Sequence, residues 1–516
     1  MKLKSPTLLI ILDGWGVAPP HRGNAITLAK KPTIDSLIET YPSTTLGATG
    51  QDVGLEDNKM SGSEAGHMNI GAGRIVKQDS AYITESITDG SFFVNPALIG
   101  AVNHAKKNQS RLHIIGLMGD ADSPHSDPNH FKAVLNLARK NGISEAYCHF
   151  FTDGRDSYPQ SAQEHLKNFR IIMAKEGIGK IATIGGRFYG MDRAKNWGRL
   201  KKAYVAMVQA EGEKADSAEE AIDNAYKNKL TDEYVLPTII MENSQPVAQI
   251  SDNDAVIFFN LRSDRARQFT KFFVGDRDCI LRDKIPVTET LKNLYFAAMT
   301  DFGPDLNVHT AYPGHTLQAT LPMEIGGFKQ LYISESEKFA HVTYFLNGGY
   351  ADPVAGEERV MVPSPIIDSY AKAPEMAGKE MTAKIMEYLQ NRNCDFITVN
   401  YPNADMVGHT GDLKATVRAV EFLDSQIKIL AEEILKLNGH LIITADHGNA
   451  DDMMDPGTDQ PNTFHTKNPV PFILISEKYK NRKLKDGGVL GNIAPTILDI
   501  FGVEKPKLMD KETLIV

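Results

Sequence analysis

Five short segments gather Asp, His and Ser side chains that could bind a cation or act as a nucleophile: Leu12-Asp13-Gly14, the loop around Ser63, Asn403 to His409, Thr444 to Asn449, and Asn462 to Thr466. Asp405 and His409 are four apart, which puts both on one face of a helical turn. Asp446 and His447 are adjacent after an apolar run, so their side chains can diverge toward two neighbouring ions. Aspartate oxygens and histidine nitrogens without cysteine suit Mn²⁺ or Zn²⁺, and Mg²⁺ less well. Each residue alone has a plainer reading. An Asp after a strand is ordinarily a cap or turn residue, and a lone His belongs to the surface or core. Five such segments at loop positions of one sheet bring a two-metal site level with that reading. Ser63 lies in Ser61-Gly62-Ser63-Glu64-Ala65-Gly66-His67, a setting that suggests a loop opening a helix whose backbone N–H groups face a phosphate. Residues 61 and 65 are Ser and Ala, so this is not the G-x-S-x-G hydrolase elbow. A helix-capping serine is the competing reading, and Ser61 competes with Ser63 for either role.

A second group is arginine-rich and lies between about residues 120 and 270. Arg262 and Arg265 are three apart at the start of a helical pattern and can point together. Arg155, Arg187 and Arg193 follow strand patterns. Guanidinium groups bind carboxylate and phosphate bidentately, although an isolated Arg is ordinarily a solvated surface residue.

The elements that must position these residues alternate. Strand patterns fall at Thr7–Leu12, Leu112–Leu117, Ala146–Phe151, Lys180–Ile184, Ala255–Asn260, Leu294–Met299, Asp395–Asn400, His440–Thr444 and Val470–Ile475. Helical patterns lie between them, among them Ser36–Tyr41, Phe131–Lys140, Lys379–Asn391 and Thr416–Leu437. This alternation predicts an α/β protein with mainly parallel sheets, whose sites form at the carboxyl ends of strands. The two residue groups predict two domains. A discontinuous one comprises residues 1–78 and 313–516, and an insert spans 79–312. The joints fall near Lys77–Ser80 and Ala311–Gly314, and both parts are long enough to bury a core.

Composition narrows the function. The 516 residues are 42% hydrophobic and 23% charged, which excludes disorder as the dominant state. Lys+Arg number 56 against 65 Asp+Glu, a net charge of −9, which argues against general nucleic-acid binding. Cys148, Cys279 and Cys394 form no close pair, so a disulfide framework is not expected and a reducing compartment fits. No apolar run is long enough for an export signal or membrane span. A soluble cytoplasmic protein with no membrane partner is expected.

The motifs together resemble one family, the cofactor-independent (2,3-bisphosphoglycerate-independent) phosphoglycerate mutases of the alkaline phosphatase superfamily. The resemblance rests on Leu12-Asp13-Gly14-Trp15-Gly16, Ser63 to Arg74, Thr152-Asp153-Gly154-Arg155-Asp156, Asn260-Leu261-Arg262-Ser263-Asp264-Arg265, Glu337 to Phe345, Asn400 to Gly411, and Thr444 to Asp451. These stretches occur in the expected order along essentially the whole chain. The family usually carries Asn and Val where this chain has Gly62 and Ala65. The resemblance implies interconversion of 3-phosphoglycerate and 2-phosphoglycerate through a phosphoserine, within a phosphatase-like domain and an inserted substrate-binding α/β domain. It implies Ser63 as nucleophile and Lys338 as the charge that neutralises the transferring phosphoryl group. Asp13, Ser63, Asp446 and His447 would hold one divalent ion, and Asp405, His409 and His465 a second. Mn²⁺ is the first choice, with Mg²⁺, Co²⁺ or Zn²⁺ as substitutes. His125, Arg155, Asp156, Arg187, Arg193, Arg262 and Arg265, with Lys338, would bind phosphoglycerate. Asp156 would be the acid/base group, with His125 its rival. A monomer is implied, with its two domains closing over the substrate to exclude water. The alternatives are a phosphatase or phosphopentomutase of the same superfamily, and a non-catalytic binding protein.

Overall fold

β1 (Thr7–Leu12) is buried along its whole length, the signature of a strand covered on both faces. It belongs to a computed structural model that describes every residue except 1–4, 58, 122, 287–290, 304, 315, 456, 458 and 459. The chain divides into two compact units, Met1–Gln78 with His315–Val516, and Asp79–Gly314. The second joint thus falls two residues beyond the expected position.

β2 (Ser43–Gly47) is the other strand before the insert. The insert contributes β3 (Leu112–Met118), β4 (Ala146–Thr152), β5 (Lys180–Gly186), β6 (Glu213–Ala215), β7 (Thr238–Glu242), β8 (Gln245–Pro246), β9 (Ala255–Phe258), β10 (Tyr295–Thr300) and β11 (His309–Tyr312). After it come β12 (Gln330–Glu335), β13 (Glu358–Val362), β14 (Phe396–Tyr401), β15 (His440–Thr444), β16 (Val470–Ile475) and β17 (Gly488–Val489).

The first unit's sheet runs β13-β12-β14-β1-β15-β16-β2-β17. It is parallel from β13 to β15, while β16 is antiparallel to both its neighbours. The insert's sheet runs β11-β10-β9-β3-β4-β5-β7-β6 and is parallel from β11 to β5, with β7 reversed against β5. Parallel register gathers strand ends. In the first unit Leu12 pairs with Tyr401, Ile11 with Thr444 and Ser334 with Asn400, so the segments after β1, β12, β14 and β15 leave one edge together. The α/β class and the mainly parallel sheets agree with the expectation.

Several elements differ from it for identifiable reasons. β12 was not expected, because Gln330, Ser334 and Glu335 interrupt its apolar run. All three are buried, and Gln330 Nε2 donates to Pro322 O at 3.0 Å while its Oε1 accepts from Tyr332 Oη at 2.6 Å. β9 stops at Phe258 rather than Asn260, and Asn260 Oδ1 takes Leu117 N–H at 2.8 Å in place of a backbone carbonyl. The helix expected over Ser36–Tyr41 spans Pro32–Thr40. Its first turn is satisfied from afar: Asp424 oxygens accept from Thr33 N at 3.2 Å and Ile34 N at 2.8 Å. The carboxylate also suits the positive end of the helix. The helix Leu413–Lys436 is capped by Asp412, which accepts from Ala415 N, and it buries Ala419, Val420, Leu423, Ile427, Leu430 and Ile434 at three- and four-residue spacing. Among the described residues no helix is long and apolar enough to cross a membrane.

His440 opens β15 with 8% of its surface exposed, and its Nδ1 lies 2.8 Å from Ser476 Oγ. Burial and the Lys478 charge push its pKa down to about 4. Below pH 6.5 the unfolded chain therefore gains a proton that the folded chain refuses, and stability is lost as pH falls toward 4. A His440→Gln variant escapes this loss. Its unfolding free energy, read from urea melts, should gain on that of the parent by up to about 1.4 kcal/mol per pH unit between pH 6.5 and 4.5. A difference that stays constant with pH would contradict the assignment.

Candidate active site

In the first unit, the turns after four parallel strands meet at one serine. Ser63 is the first residue of the helix Ser63–Ala72, and Gly62 is its N-cap. The serine therefore makes no capping bond, and its hydroxyl turns toward the sheet edge. Ser63 Oγ lies 2.5 Å from Lys338 Nζ, 2.9 Å from His447 Nε2 and 3.2 Å from Asp13 Oδ1. Ser61 acts through its backbone, its carbonyl accepting from His465 Nδ1 at 2.7 Å. Gly62 is extended (φ −134°, ψ 174°), a conformation open to any residue, and an added Cβ would meet His465 Cε1 at an ordinary 3.6 Å. Gly66 is different, because a Cβ there would lie 2.6 Å from the Asp446 carbonyl oxygen. The helix can press on the strand end that carries Asp446 only without a side chain at residue 66.

Asp13, Asp405, Asp446 and His447 are each at most 1% exposed. Ligand atoms of Asp13, Asp446 and His447 lie within 4.8 Å of one another, and so do those of Asp405, His447 and His465. Asp446 and His447 thus share the first group rather than diverging, and the His447 ring serves both. The helix Asn403–Gly408 carries Asp405, and His409 caps its end, with His409 Nε2 3.2 Å from Asp405 Oδ1.

The hydrogen bonds fix which imidazole nitrogen faces inward. Nδ1 of His447 lies 3.2 Å from Gly448 O, that of His409 2.8 Å from Thr463 O, and that of His465 2.7 Å from Ser61 O. A carbonyl only accepts, so each Nδ1 holds the proton and each Nε2 presents a lone pair. His409 Nε2 and His465 Nε2 face each other at 3.2 Å, with Asp405 Oδ1 3.2 and 3.4 Å away. Three acceptors converging on one point repel one another unless a cation stands among them. This donor set therefore fits a divalent ion.

Electrostatics point the same way. Burial and the neighbouring Asp446 push Asp13 up to about 7. Burial would also lift Asp405 and Asp446, but both are held below the usual carboxylate range, the Lys338 ammonium contributing to each. Burial holds His447 down at about 3, so its ring is neutral. Lys338 Nζ sits 2.7 Å from both Asp13 Oδ1 and Asp405 Oδ2. Burial would strip its proton, but these carboxylates and Asp446 more than offset that, and the ammonium is held.

Three residues given no role from the sequence complete the shell. Asn400 Nδ2 donates to Asp13 Oδ2 at 2.7 Å and lies 3.0 Å from His67 Nε2, while His67 Nδ1 lies 2.8 Å from Ser63 O. Asn449 Nδ2 reaches Asp405 Oδ1 at 3.3 Å. The available signal was a polar Asn400 near the end of the largely apolar β14, where every residue is buried.

In the insert, His125, Asp156 and Arg187 come together after β3, β4 and β5. Arg187 Nη1 donates to Asp156 Oδ2 at 2.5 Å, and Nη2 lies 2.9 Å from His125 Nε2. Arginine has only donors, so that nitrogen bears the lone pair. Burial and Arg187 push His125 down to about 3. Arg193 Nη1 and Arg262 Nε lie 2.8 and 3.4 Å from Asp264 oxygens. Arg265 Nη1 donates to Met191 O at 3.3 Å, and Arg155 lies 4.0 Å from Glu233. Guanidinium groups crowded this way attract anions.

Known proteins share this organisation. The model of the metalloenzyme superfamily matches residues 5–505. The 2,3-bisphosphoglycerate-independent phosphoglycerate mutase of Clostridioides difficile (strain 630) is 46% identical over 517 residues, covering 99% of each chain. The enzyme of the same name from Clostridium novyi (strain NT) is 45% identical over 514 residues, again covering 99% of each. The crystal structure of Leishmania mexicana phosphoglycerate mutase at low cobalt concentration superposes with a TM-score of 0.90 at 29% identity, covering 100% of this chain and 98% of that one. The chain belongs to the 2,3-bisphosphoglycerate-independent phosphoglycerate mutases of the metalloenzyme superfamily.

Proposed function

We propose that the chain interconverts 3-phosphoglycerate and 2-phosphoglycerate, without added 2,3-bisphosphoglycerate, through a phosphoserine at Ser63. The observation that carries this reading is the setting of Ser63 Oγ, 2.5 Å from Lys338 Nζ and 2.9 Å from the unprotonated Nε2 of His447, at a helix N-terminus. A serine hydroxyl is too weakly acidic to attack at neutral pH unaided. Here Lys338 donates to the oxygen, and the Asp13 carboxylate, 3.2 Å away, can accept its proton. Ser63 stands at the positive end of its helix, which favours a phosphate there.

Asp13, Ser63, Asp446 and His447 would hold one divalent ion, and Asp405, His409 and His465 the other. Such ions lower the proton affinity of a bound hydroxyl and offset phosphoryl charge. We favour Mn²⁺ for this oxygen and nitrogen set, with Mg²⁺, Co²⁺ or Zn²⁺ as substitutes. Lys338 remains an ammonium and offsets charge on the phosphoryl group in transit.

The insert's residues handle the glycerate. Arg155, Arg187, Arg193, Arg262 and Arg265, with His125, bind its carboxylate and phosphate. Asp156 gives a proton to the glycerate oxygen that leaves phosphorus and then takes one from the hydroxyl that attacks the Ser63 phosphate, so no net proton is consumed. His125 is the weaker candidate, because burial and then Arg187 suppress its proton affinity. In keeping with the resemblance, we read the working enzyme as a cytoplasmic monomer.

An assay on 3-phosphoglycerate without bisphosphoglycerate tests the reading. Activity should vanish after chelation and return with Mn²⁺, and 2-phosphoglycerate should form. Release of inorganic phosphate in its place would make the protein a phosphatase.

Two substitutions separate the roles. Ser63→Ala should lower kcat by about 10⁴-fold or more and abolish labelling by phosphate. Lys338→Met should lower kcat by about 10²–10³-fold with KM little changed. Full turnover by Ser63→Ala would remove the nucleophile assignment.

A further inference from the structure

We infer that Asp153 is a positioning residue with two separable jobs: as an acceptor it folds the loop that presents Arg155 and Asp156, and as a charge it shares Arg187 with Asp156. The inference deepens the reading of Asp156 as the acid/base group and rests on it.

Asp153 follows β4 and is 1% exposed. Its Oδ1 accepts from Arg155 N at 3.1 Å and Asp156 N at 3.0 Å, the pattern of an Asx turn. The same oxygen accepts from Arg187 Nη1 at 2.7 Å. Gly154 makes the turn possible: its φ is +73°, and an added Cβ would lie 2.7 Å from Glu233 N. One carboxylate oxygen therefore sets the loop backbone and the guanidinium together.

The electrostatic consequence follows from the sharing. Arg187 Nη1 meets Asp153 at 2.7 Å and Asp156 at 2.5 Å, so one positive charge is divided between two carboxylates. The guanidinium is therefore not Asp156's alone, and a second anion stands beside it. A nearby anion favours the protonated form of a carboxyl group. Several other charged or titratable groups face this site. Arg155 lies on the same loop, and His125, from the turn after β3, lies 3.1 Å from Asp156 Oδ2. Arg262 and Asp264, from the segment after β9, act on His125. Arg193 and Arg265 add to the field around Arg187. Asp153→Asn keeps the acceptor oxygen that holds this arrangement, so a shift in its pH profile reports the Asp153 charge.

The test compares Asp153→Asn, Asp153→Ala and Asp156→Asn in the Mn²⁺-loaded full chain, with steady-state kinetics from pH 5.5 to 9. Asp153→Asn keeps the acceptor oxygen and removes the charge. Its KM should stay within about threefold of the parent, while the acid limb of kcat moves to lower pH by about half a unit or more and the plateau falls about tenfold. Asp153→Ala loses the turn as well, and its KM should rise about tenfold or more. A parental kcat–pH profile in Asp153→Asn overturns the charge-sharing job, and a parental KM in Asp153→Ala overturns the turn-forming one. Where Asp153→Ala does not fold, Asp153→Asn decides the charge-sharing job, and Gly154→Ala tests the turn through its positive φ: a parental KM there overturns the turn-forming job. Asp156→Asn separates the two levels. Parental turnover there removes the acid/base reading itself. Loss of turnover there, with an unmoved Asp153→Asn profile, removes only the present inference.

Discussion

Three carboxylates at most 1% exposed, Asp13, Asp405 and Asp446, surround one serine hydroxyl, and their mutual repulsion is the constraint on which the first unit is built. Burying an unpaired carboxylate costs several kcal/mol, so positive charge has to be supplied where they meet. Lys338 supplies part of it, reaching Asp13 and Asp405 from the end of β12. The chain just beyond it, His341–Phe345, is a π-helical turn, a distortion that recurs at functional sites. One ammonium does not suffice, and Asp13 is left near 7. The three inward lone pairs of His409, His447 and His465 deepen the deficit. A cluster so short of positive charge is a cation site by construction.

The insert solves the opposite problem. Its guanidiniums repel one another, and carboxylates are distributed among them. Arg187 is divided between Asp153 and Asp156, while Asp264 is divided between Arg193 and Arg262. Shared pairs of this kind hold side chains in place without neutralising them one for one. The arginines are thus already oriented, with little rotamer entropy left to lose on meeting an anion.

Much of this was legible in the sequence because both sheets are mainly parallel. A parallel strand buried on both faces reads as a continuous apolar run, and its carboxyl end is where a polar residue stands out. Asp13, Asp446 and the Asp153–Asp156 loop all follow such runs. What escaped notice was polar residues inside buried elements. Gln330 and Glu335 disguised β12, and with it the strand that delivers Lys338. Asn400 and His67 were recognisable by type, but their work lies in hydrogen bonds to residues hundreds of positions away. The start of the helix Pro32–Thr40 was hidden likewise, since its cap is Asp424 on a distant helix. Local sequence cannot announce a partner that only the fold brings near.

The same distinction decides what the glycine at position 62 and the alanine at position 65 mean. Gly62 sits in a conformation any residue adopts, with ordinary space beyond it, so the start of the helix does not depend on what stands there. Its placement comes from Gly66, which brings the helix onto the backbone at Asp446, and from His67, which ties the Ser63 carbonyl to Asn400 and thence to Asp13. Those contacts run across the sheet edge and leave residues 62 and 65 out. Ser63 is therefore held by the fold around it, and its placement does not turn on the residue at position 62.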